Sequence, residues 1–444
     1  MDFQRRKLYL AVSILIIGMA VALAWHGWQG WVLGKSYPYN TFLFLPKVRF
    51  SDLIEVLKCA NSPSPYLQGS YFPATYPAFR PFLCLPPALT VLLFISVTSL
   101  GLWALALATT CSLVFDPARL LPSGLLVLAT SVALTFSYPL LIGVDRGNIE
   151  LLMALFVAIA LLCFRYGRHR LGLLALFPCI CFKFYPVLLL ILFLRPRHLL
   201  QFLVVLFAFV LASVWSLATF EPTIQTSLQF WKQNVQQMNM TYVIHFWGAS
   251  GTASPWNALR SLIGTCCYLI SSLRPGETLV LRDNFLHPLF SLYSYLTMAA
   301  SAFIVLSTVL VEREFFRRAV LLLLLLTLIL PSGGDYRLIY ANIALVVVIL
   351  LPGKRRQDLL VVALLALVIV PKREIFLPFL GKSDSTFYDI PLAVLFNAPC
   401  LLVVLALLLS DTWKASSWPY ARQRLSGLLR YVFSWKGRHP VGTH

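Results

Sequence analysis

Residues 8–25 read LYLAVSILIIGMAVALAW, an unbroken apolar run of 18 residues that follows Arg5, Arg6 and Lys7. An α-helix needs about 20 apolar residues to cross a bilayer, so this run is long enough for one span. The apolar core of a signal peptide is shorter, at roughly 7–15 residues, and we therefore expect the segment to be kept as an anchor. The basic residues in front of it place the N-terminus in the cytoplasm.

The same pattern recurs along the whole chain. Of its 444 residues 59% are hydrophobic and 12% are charged, and the mean hydropathy is +0.80. This composition excludes a soluble protein and a disordered chain. We predict an all-α polytopic membrane protein with about twelve spans. The predicted spans are 8–25, 82–104, 121–142, 149–164, 171–182, 184–194, 199–219, 285–310, 319–331, 338–352, 359–371 and 390–410.

The positions of the charged residues fix the predicted orientation. With twelve spans, 21 of the 36 Lys and Arg residues and 6 of the 17 Asp and Glu residues fall on the cytoplasmic side. The net charge is then +15 inside and +4 outside, as the positive-inside rule requires. The basic clusters are therefore explained by topology, and we expect no nucleic-acid partner. Both termini are predicted to be cytoplasmic, with a basic tail over 411–444.

Residues 171–194 are too few for two full spans, although basic clusters flank them on both sides. We interpret them as a short hairpin or re-entrant pair that reverses near Lys183 and Pro186, with its irregular backbone shielded by other helices. A single span is the alternative, and it would invert the rest of the chain. The basic clusters after Val311 and Pro352 argue against that inversion.

Residues 1–444 form one integral membrane domain in this prediction, with two long outer loops at 26–81 and 220–284. Channels and transporters more often keep their loops short, so folded outer loops indicate surface chemistry. In the first loop Phe50, Leu53, Ile54 and Leu57 recur at helical spacing. They predict an amphipathic helix lying on the membrane, with Ser51 as its N-cap.

Two carboxylates lie on the polar face of this predicted helix. Asp52 at the lipid–water boundary is suited to take a proton from an acceptor hydroxyl. The alternative is a solvated Asp that only favours the helix start. Glu55, one turn later, is a candidate second acid, and an ion pair with Lys58 is its simpler explanation.

Four polar residues follow the third predicted span at its outer mouth: Asp145, Arg146, Asn148 and Glu150. Polar groups at membrane depth are costly and indicate a site. The alternative is a purely structural pair between Arg146 and either Asp145 or Glu150.

Later positions add further candidates. Lys183 is a lone cation in an apolar hairpin, placed either to hold a lipid phosphate or to extend its charge to the membrane surface. Arg337 suits a phosphate, with an ion pair to Asp335 as the alternative. Tyr76 belongs to an aromatic, proline-rich stretch that forms either a groove or an interfacial belt. His245 in the second loop is an acid/base candidate, although a lone loop His is usually structural or solvated.

The order of these motifs resembles that of glycosyltransferase family 87, which has the GT-C fold. The resemblance covers about residues 40–350. It rests on the Asp in the first outer loop, a Tyr-Pro run before the second span, Asp145-Arg146-Gly147-Asn148, Lys183-Phe184-Tyr185-Pro186 and Asp335-Tyr336-Arg337. The sequence departs from the family pattern at Ala78, where Pro is common, at Asp145-Arg146, where Gly-Gln is frequent, and at Asp335, where His is frequent.

The resemblance implies an inverting transfer of a sugar, mannose or arabinose, from a polyprenyl-phosphate donor to a glycan or glycolipid acceptor. It places the reaction at the outer face of a bacterial inner membrane. Asp52 is then the base, and Lys183, Arg146 and Arg337 bind the donor phosphate. No motif calls for a cofactor, and the sequence leaves a divalent metal open. A lipid or glycan transporter and a non-catalytic scaffold are the alternatives, and the absence of repeated halves disfavours the transporter.

Overall fold

The computed structural model describes residues 3–37, 39–43, 46–69, 71–115, 120–193, 199–240, 243, 254–273, 283–331, 334–352, 356–372 and 392–415. Over these ranges the regular structure is entirely helical, which confirms the all-α prediction. His245, Gly333 and the tail beyond residue 415 lie outside the described residues, so the interpretation of His245 stays a prediction.

The first half of the chain contains ten α-helices within the described ranges. They are α1 (Phe3–Gly27), α2 (Ser51–Asn61), α3 (Thr75–Phe79), α4 (Pro87–Ile95), α5 (Gly101–Val114), α6 (Leu120–Thr135), α7 (Tyr138–Arg146), α8 (Glu150–Arg165), α9 (His169–Phe182) and α10 (Leu199–Phe220). Short 3₁₀ segments lie at Pro46–Val48, Pro65–Leu67, Arg80–Cys84 and Tyr185–Phe193.

The second half adds seven α-helices in the described part of the chain. They are α11 (Ile224–Asn239), α12 (Pro255–Leu273), α13 (Asp283–Leu306), α14 (Phe315–Leu328), α15 (Ile339–Leu350), α16 (Arg356–Val368) and α17 (Leu392–Ala415). One further 3₁₀ turn, Asp335–Leu338, precedes α15. Single π turns extend α1 and α13 and join α4 to α5 into one rod.

Among the described residues, five helical stretches are long and apolar enough to cross a membrane. They are Phe3–Val32, Pro87–Val114, Leu199–Phe220, Leu286–Val311 and Leu392–Lys414. A sixth candidate is the pair α6 and α7, which bend by 57° at their junction. Fewer than half of the residues in each of the five long stretches are buried. Apolar side chains that face outward along a whole helix are typical of a lipid-facing surface.

Five of the six remaining predicted spans fall on helices of 12 to 16 residues, namely α8, α9, α14, α15 and α16, and the span 184–194 falls on the 3₁₀ segment Tyr185–Phe193. These short helices carry much of the hydrophobic core, and every residue from Arg318 to Leu328 in α14 is buried. Hydropathy alone predicts the long and the short helices alike as membrane spans, because a buried core helix and a lipid-facing helix are equally apolar.

The chain reverses after α9, where Lys183 is extended and the 3₁₀ segment Tyr185–Phe193 packs back against α9 and α14. Most residues of this segment are buried. Its irregular backbone is therefore shielded by protein, as the sequence predicted for a hairpin.

The ends of several helices meet at the N-terminal end of α1. Lys7 is fully buried, and its Nζ donates to the carbonyls of Val348 and Leu351 at 2.8 and 2.7 Å. Arg5 Nε donates to the carbonyl of Leu113 at the end of α5. These cations bind the carbonyls that a helix leaves unpaired at its C-terminus. The ends of α5 and α15 thus lie on the same side as the start of α1, as the predicted topology requires.

Candidate functional site

The site begins where α2 contacts the loop after α7. Phe50 adopts a left-handed conformation (φ 55°), and its backbone N–H donates to the carbonyl of Asp145 at 2.8 Å. Arg49 Nε lies 3.2 Å from Asp145 Oδ1. Gly147, also left-handed (φ 64°), lets Leu53 approach so closely that a Cβ at residue 147 would lie 2.9 Å from Leu53 Cβ. This contact holds the first turn of α2 against the end of α7.

Docking of α2 brings Asp52 against two hydrogen-bond donors. Arg146 Nη2 forms an ion pair with Asp52 Oδ1, and Asn148 Nδ2 donates to Asp52 Oδ2 at 2.5 Å. Asp52 is 7% exposed and the Arg146 side chain is 25% exposed. The carboxylate is therefore desolvated, held in one orientation, and still within reach of a ligand at the surface.

Asn148 also connects this pair to a second, deeper carboxylate. Its Oδ1 accepts from the backbone N–H of Glu150 at 3.0 Å, at the first residue of α8. The same side chain therefore binds Asp52 with one atom and the start of α8 with the other. Two carboxylates from distant parts of the chain are positioned by one amide.

Glu150 is fully buried and is surrounded by donors. Lys183 Nζ donates to Glu150 Oε1 at 2.8 Å, and the Tyr185 hydroxyl binds the same oxygen. The Tyr340 hydroxyl donates to Glu150 Oε2 at 2.7 Å, and Arg337 Nε lies 3.8 Å from Oε1. A buried charge is tolerated only with such partners. Here two cations and two phenols converge on one carboxylate.

Aromatic rings surround the Lys183 ammonium. Its Nζ lies 5.1 Å from the centroid of the Tyr71 ring and 6.0 Å from that of Tyr336. The Tyr76 hydroxyl accepts a hydrogen bond from the Tyr71 backbone N–H at 3.2 Å, so Tyr76 helps to hold the backbone of Tyr71 in place. Arg337 in turn stacks on Tyr185 at 5.3 Å. The faces of aromatic rings attract cations and help to keep both side chains in place.

The 3₁₀ turn before α15 supplies the last two predicted residues. The Tyr138 hydroxyl donates to Asp335 Oδ2 at 2.9 Å, which joins the turn to α7. Tyr336 packs in the small cluster around Tyr138 and Phe42. Asp335 therefore anchors the turn that carries Arg337.

Electrostatic coupling extends through the outer part of this cluster. Burial and the nearby carboxylates of Asp52 and Glu150 raise the pKa of Tyr71 well above its ordinary value. Burial, followed by the charge of Asp52, raises the pKa of Glu55. Tyr71 thus lies within range of both carboxylates, and Glu55 lies at the exposed edge of the same cluster. Perturbed groups that cluster in this way are typical of functional sites.

An apolar cavity of about 680 Å³ lies among the helices that carry the polar cluster. Leu53, Leu152 and Phe182 line it, each one or two residues along the chain from Asp52, Glu150 and Lys183, respectively, whereas these three charged residues are not part of its lining. Its other walls come from α3, α4, α9 and α10. An apolar cavity beside converging polar groups is the usual form of a site for an amphipathic ligand.

The structure brings together most of the residues predicted from sequence. Asp52, Arg146, Asn148, Lys183 and Arg337 converge, and Asp145, Asp335 and Tyr336 position them. Tyr76 contributes indirectly, through its hydrogen bond with the Tyr71 backbone. Among the described residues no three His, Cys, Asp or Glu side chains are grouped to hold a metal ion.

Two local predictions about α2 were wrong. Ser51 is the first helical residue and not the N-cap, which is Phe50 without a side-chain hydrogen bond. The apolar face of α2 is rotated, so that Asp52 is buried and Ile54 is 37% exposed, because the Gly147 contact turns Asp52 towards Arg146.

Three charged residues of the Asp145–Glu150 segment have partners far along the chain. Asp145 pairs with Arg49, Arg146 with Asp52, and Glu150 with Lys183. The charges of this segment are therefore not satisfied by local pairs alone.

Sequence reasoning assigned no role in the site to Tyr71, Tyr185 or Tyr340. It counted Glu150 among the polar residues that indicate a site, but did not predict that Lys183 and Arg337 would gather around it. The cost of burying a carboxylate at membrane depth was the available signal for Glu150. The tyrosines gave no comparable signal, because tyrosines near span ends are usually interfacial.

Comparison of the chain with protein-family models, with curated protein sequences and with solved structures found no match.

Proposed function

We propose that this chain is an inverting, polyprenyl-phosphate-sugar-dependent glycosyltransferase of the GT-C class, related to family 87. It acts at the outer face of a bacterial inner membrane and moves a sugar, mannose or arabinose, to a glycan or glycolipid acceptor. The observation that carries the proposal is the linkage, through Asn148, of the Asp52–Arg146 pair with the Glu150 cluster that holds Lys183 and Arg337. An apolar cavity lined by the chain neighbours Leu53 and Phe182 supports it.

Asp52 supplies the base in this mechanism. An acceptor hydroxyl donates its proton to the carboxylate while its oxygen attacks the anomeric carbon of the sugar. The bond between that carbon and the phosphate oxygen breaks on the opposite face, and the polyprenyl phosphate departs. Arg146 and Asn148 orient the carboxylate, which is how a positioned base gains its efficiency.

The cations stabilise the leaving phosphate. Negative charge grows on the phosphate oxygens as the glycosidic bond breaks, and a prearranged cation in a desolvated site lowers that barrier. Lys183 is the main candidate because its side chain is 17% exposed, whereas the Arg337 side chain is 9% exposed. When Lys183 moves towards a phosphate, Glu150 keeps its contacts with Tyr185 and Tyr340.

The apolar cavity provides room for the lipid chain of the donor. Its lining runs from Leu53 and Phe182 beside the polar cluster to Trp215 and Phe94. A polyprenyl chain in this cavity leaves its phosphate next to Lys183. The separation of charged head and apolar tail matches the separation of the two parts of the site.

The membrane arrangement of the proposal follows the predicted topology. The long helices form a lipid-facing shell, and the short central helices complete about twelve membrane segments inside it. The ends that carry Lys7 and Arg5 face the cytoplasm, and the Asp52 cluster faces outward.

Transfer by purified protein in proteoliposomes tests the proposal. A transferase converts polyprenyl-phosphate mannose or arabinose to free polyprenyl phosphate and a glycoside with inverted anomeric configuration. A transporter moves the same donor across the bilayer and releases no polyprenyl phosphate. Transport without release, or release with retained configuration, would contradict the proposal.

A further inference from the structure

A second cavity runs along α15 from Ile339, the neighbour of Tyr340 in the Glu150 cluster, to Leu351. It has a volume of about 270 Å³ and is enclosed by α5, α6, α8 and α15. Its lining follows α15 from Ile339 to Leu351, a rise of about 18 Å for twelve helical residues. The hydrocarbon part of one bilayer leaflet is about 15 Å thick, so the cavity is about as deep as one leaflet.

The mouth of this cavity lies at the cytoplasmic end of the predicted topology. Leu351 forms part of the mouth, and its carbonyl binds Lys7 near the N-terminus of α1. Arg165, at the end of α8, and Glu314, the N-cap of α14, also line the mouth. The walls deeper in are mostly leucine, valine and isoleucine. A cationic and an anionic group thus share the entrance to an apolar slot.

We propose that this cavity binds one acyl chain of an aminophospholipid from the cytoplasmic leaflet, whose zwitterionic head group pairs with Arg165 and Glu314. The lipid phosphate accepts from the Arg165 guanidinium, and the primary ammonium donates to the Glu314 carboxylate. Each Glu314 oxygen already accepts one backbone N–H, from Phe316 and Arg317, and has a lone pair left for a second donor.

The head group follows from the two charges at the mouth. A lipid with an anionic head and no amine leaves Glu314 next to a negative group. A choline head carries a positive charge but no N–H donor for the carboxylate. A primary ammonium supplies both the charge and the hydrogen bonds. The inference uses the membrane orientation of the chain and does not depend on glycosyl transfer.

Native mass spectrometry of the full-length, delipidated protein tests the site. Phosphatidylethanolamine, phosphatidylcholine and phosphatidylglycerol with identical acyl chains are added separately. We expect phosphatidylethanolamine to be retained about tenfold more strongly than the other two. Equal retention of all three lipids overturns the head-group assignment.

Variants separate the head-group contacts from the slot. Arg165→Gln should weaken the retention of all three lipids, whereas Glu314→Gln should remove only the preference for phosphatidylethanolamine. Arg170→Gln, an equal charge change outside the cavity, should have no effect and serves as the control. Ala158→Phe and, independently, Val346→Phe should fill the slot and abolish tight retention. Retention that persists in both filled variants overturns the proposal.

The outcome is distinguishable from failure of the proposed transferase activity. Donor turnover is measured on the same variants, and the Asp52 cluster is unchanged in all of them. Loss of lipid retention with preserved turnover supports a separate lipid site. Asp52 variants that lose turnover and still retain phosphatidylethanolamine would show that the lipid site works independently of the Asp52 cluster.

Discussion

Asp52 and Glu150 are linked through one side chain, that of Asn148. The amide nitrogen of Asn148 donates to Asp52 Oδ2 at 2.5 Å, and its oxygen accepts from the Glu150 backbone N–H at 3.0 Å. The proposed base and the carboxylate that holds Lys183 and Arg337 therefore share one positioning group. A displacement of α2 or of α8 changes the geometry of both.

Gly147→Ala should disturb this arrangement without changing any of the polar side chains of the site. The added Cβ lies 2.9 Å from Leu53 Cβ and 3.2 Å from Phe50 Cα, at a left-handed φ of 64°. Overpacking of this kind costs about 1–3 kcal/mol, and moving α2 separates Asp52 from Arg146. We expect a lower melting temperature in detergent together with a large loss of transfer.

Gly167→Ala is the matched control. Gly167 is also left-handed (φ 71°), but nothing lies within 4 Å of the added Cβ. The backbone strain of about 1–2 kcal/mol remains, and the contact with α2 is untouched. Transfer should stay near the wild-type rate. If Gly147→Ala lowers transfer no more than Gly167→Ala does, docking of α2 does not position the base.

Lys183→Met tests phosphate binding. Loss of one prearranged charge-stabilising group lowers turnover by about 10²- to 10³-fold in other enzymes, and we expect a loss of that order with a raised donor KM. The variant also leaves Glu150 buried with fewer partners, so its melting temperature should fall.

The double variant Lys183→Met/Glu150→Gln separates the two effects. Removing the buried charge as well should restore part of the lost melting temperature. Transfer should stay low, because no ammonium reaches the phosphate. Recovery of transfer together with stability would show that Lys183 acts only as a structural counter-ion.

Much of the fold was predictable from hydropathy, because each predicted span coincides at least in part with a helix or with the 3₁₀ hairpin segment in the described residues. Hydropathy could not predict which helices are exposed along their length and which form the buried core. The runs that became α10 and α14 are both strongly apolar, yet only Phe209, Ser216 and Leu217 of α10 are buried, whereas every residue of α14 from Arg318 to Leu328 is buried. Which helix surrounds which depends on packing between distant segments.

Individual site residues were easier to predict than their partners. Arg146 and Lys183 stood out because charged groups at membrane depth are costly, and Asp52 because its predicted helix lies at the lipid–water boundary. The partner of Arg146 lies 94 residues away, and Tyr340 contacts Glu150 across 190 residues. Local spacing offered only ion pairs within the Asp145–Glu150 segment, because contacts between distant segments have no local pattern.

The pKa of Glu55 predicts a pH dependence of stability. Burial, followed by the charge of Asp52, raises this pKa above its unfolded value of about 4.3. The folded protein then binds more protons between the two pKa values, so the Glu55 contribution to stability falls as pH rises through this interval.

Glu55→Gln should therefore melt slightly higher than the wild type at pH 7. The difference should vanish below about pH 3, where the carboxyl is protonated in both states. Because the side chain is exposed, the effect should be small. A variant that melts below the wild type at pH 7 would contradict the electrostatic coupling between Glu55 and Asp52.

The Asp52→Asn variant tests the central claim most directly. Asn is nearly isosteric and keeps an oxygen for Arg146, so the variant should fold and give a wild-type size-exclusion profile. Its transfer from a polyprenyl-phosphate sugar in proteoliposomes should fall by about 10²- to 10⁴-fold, the usual worth of a general base. Glu55→Gln, which removes the neighbouring carboxylate, should be much milder. Near-normal turnover by well-folded Asp52→Asn would contradict the assignment of Asp52 as the base of a glycosyltransferase.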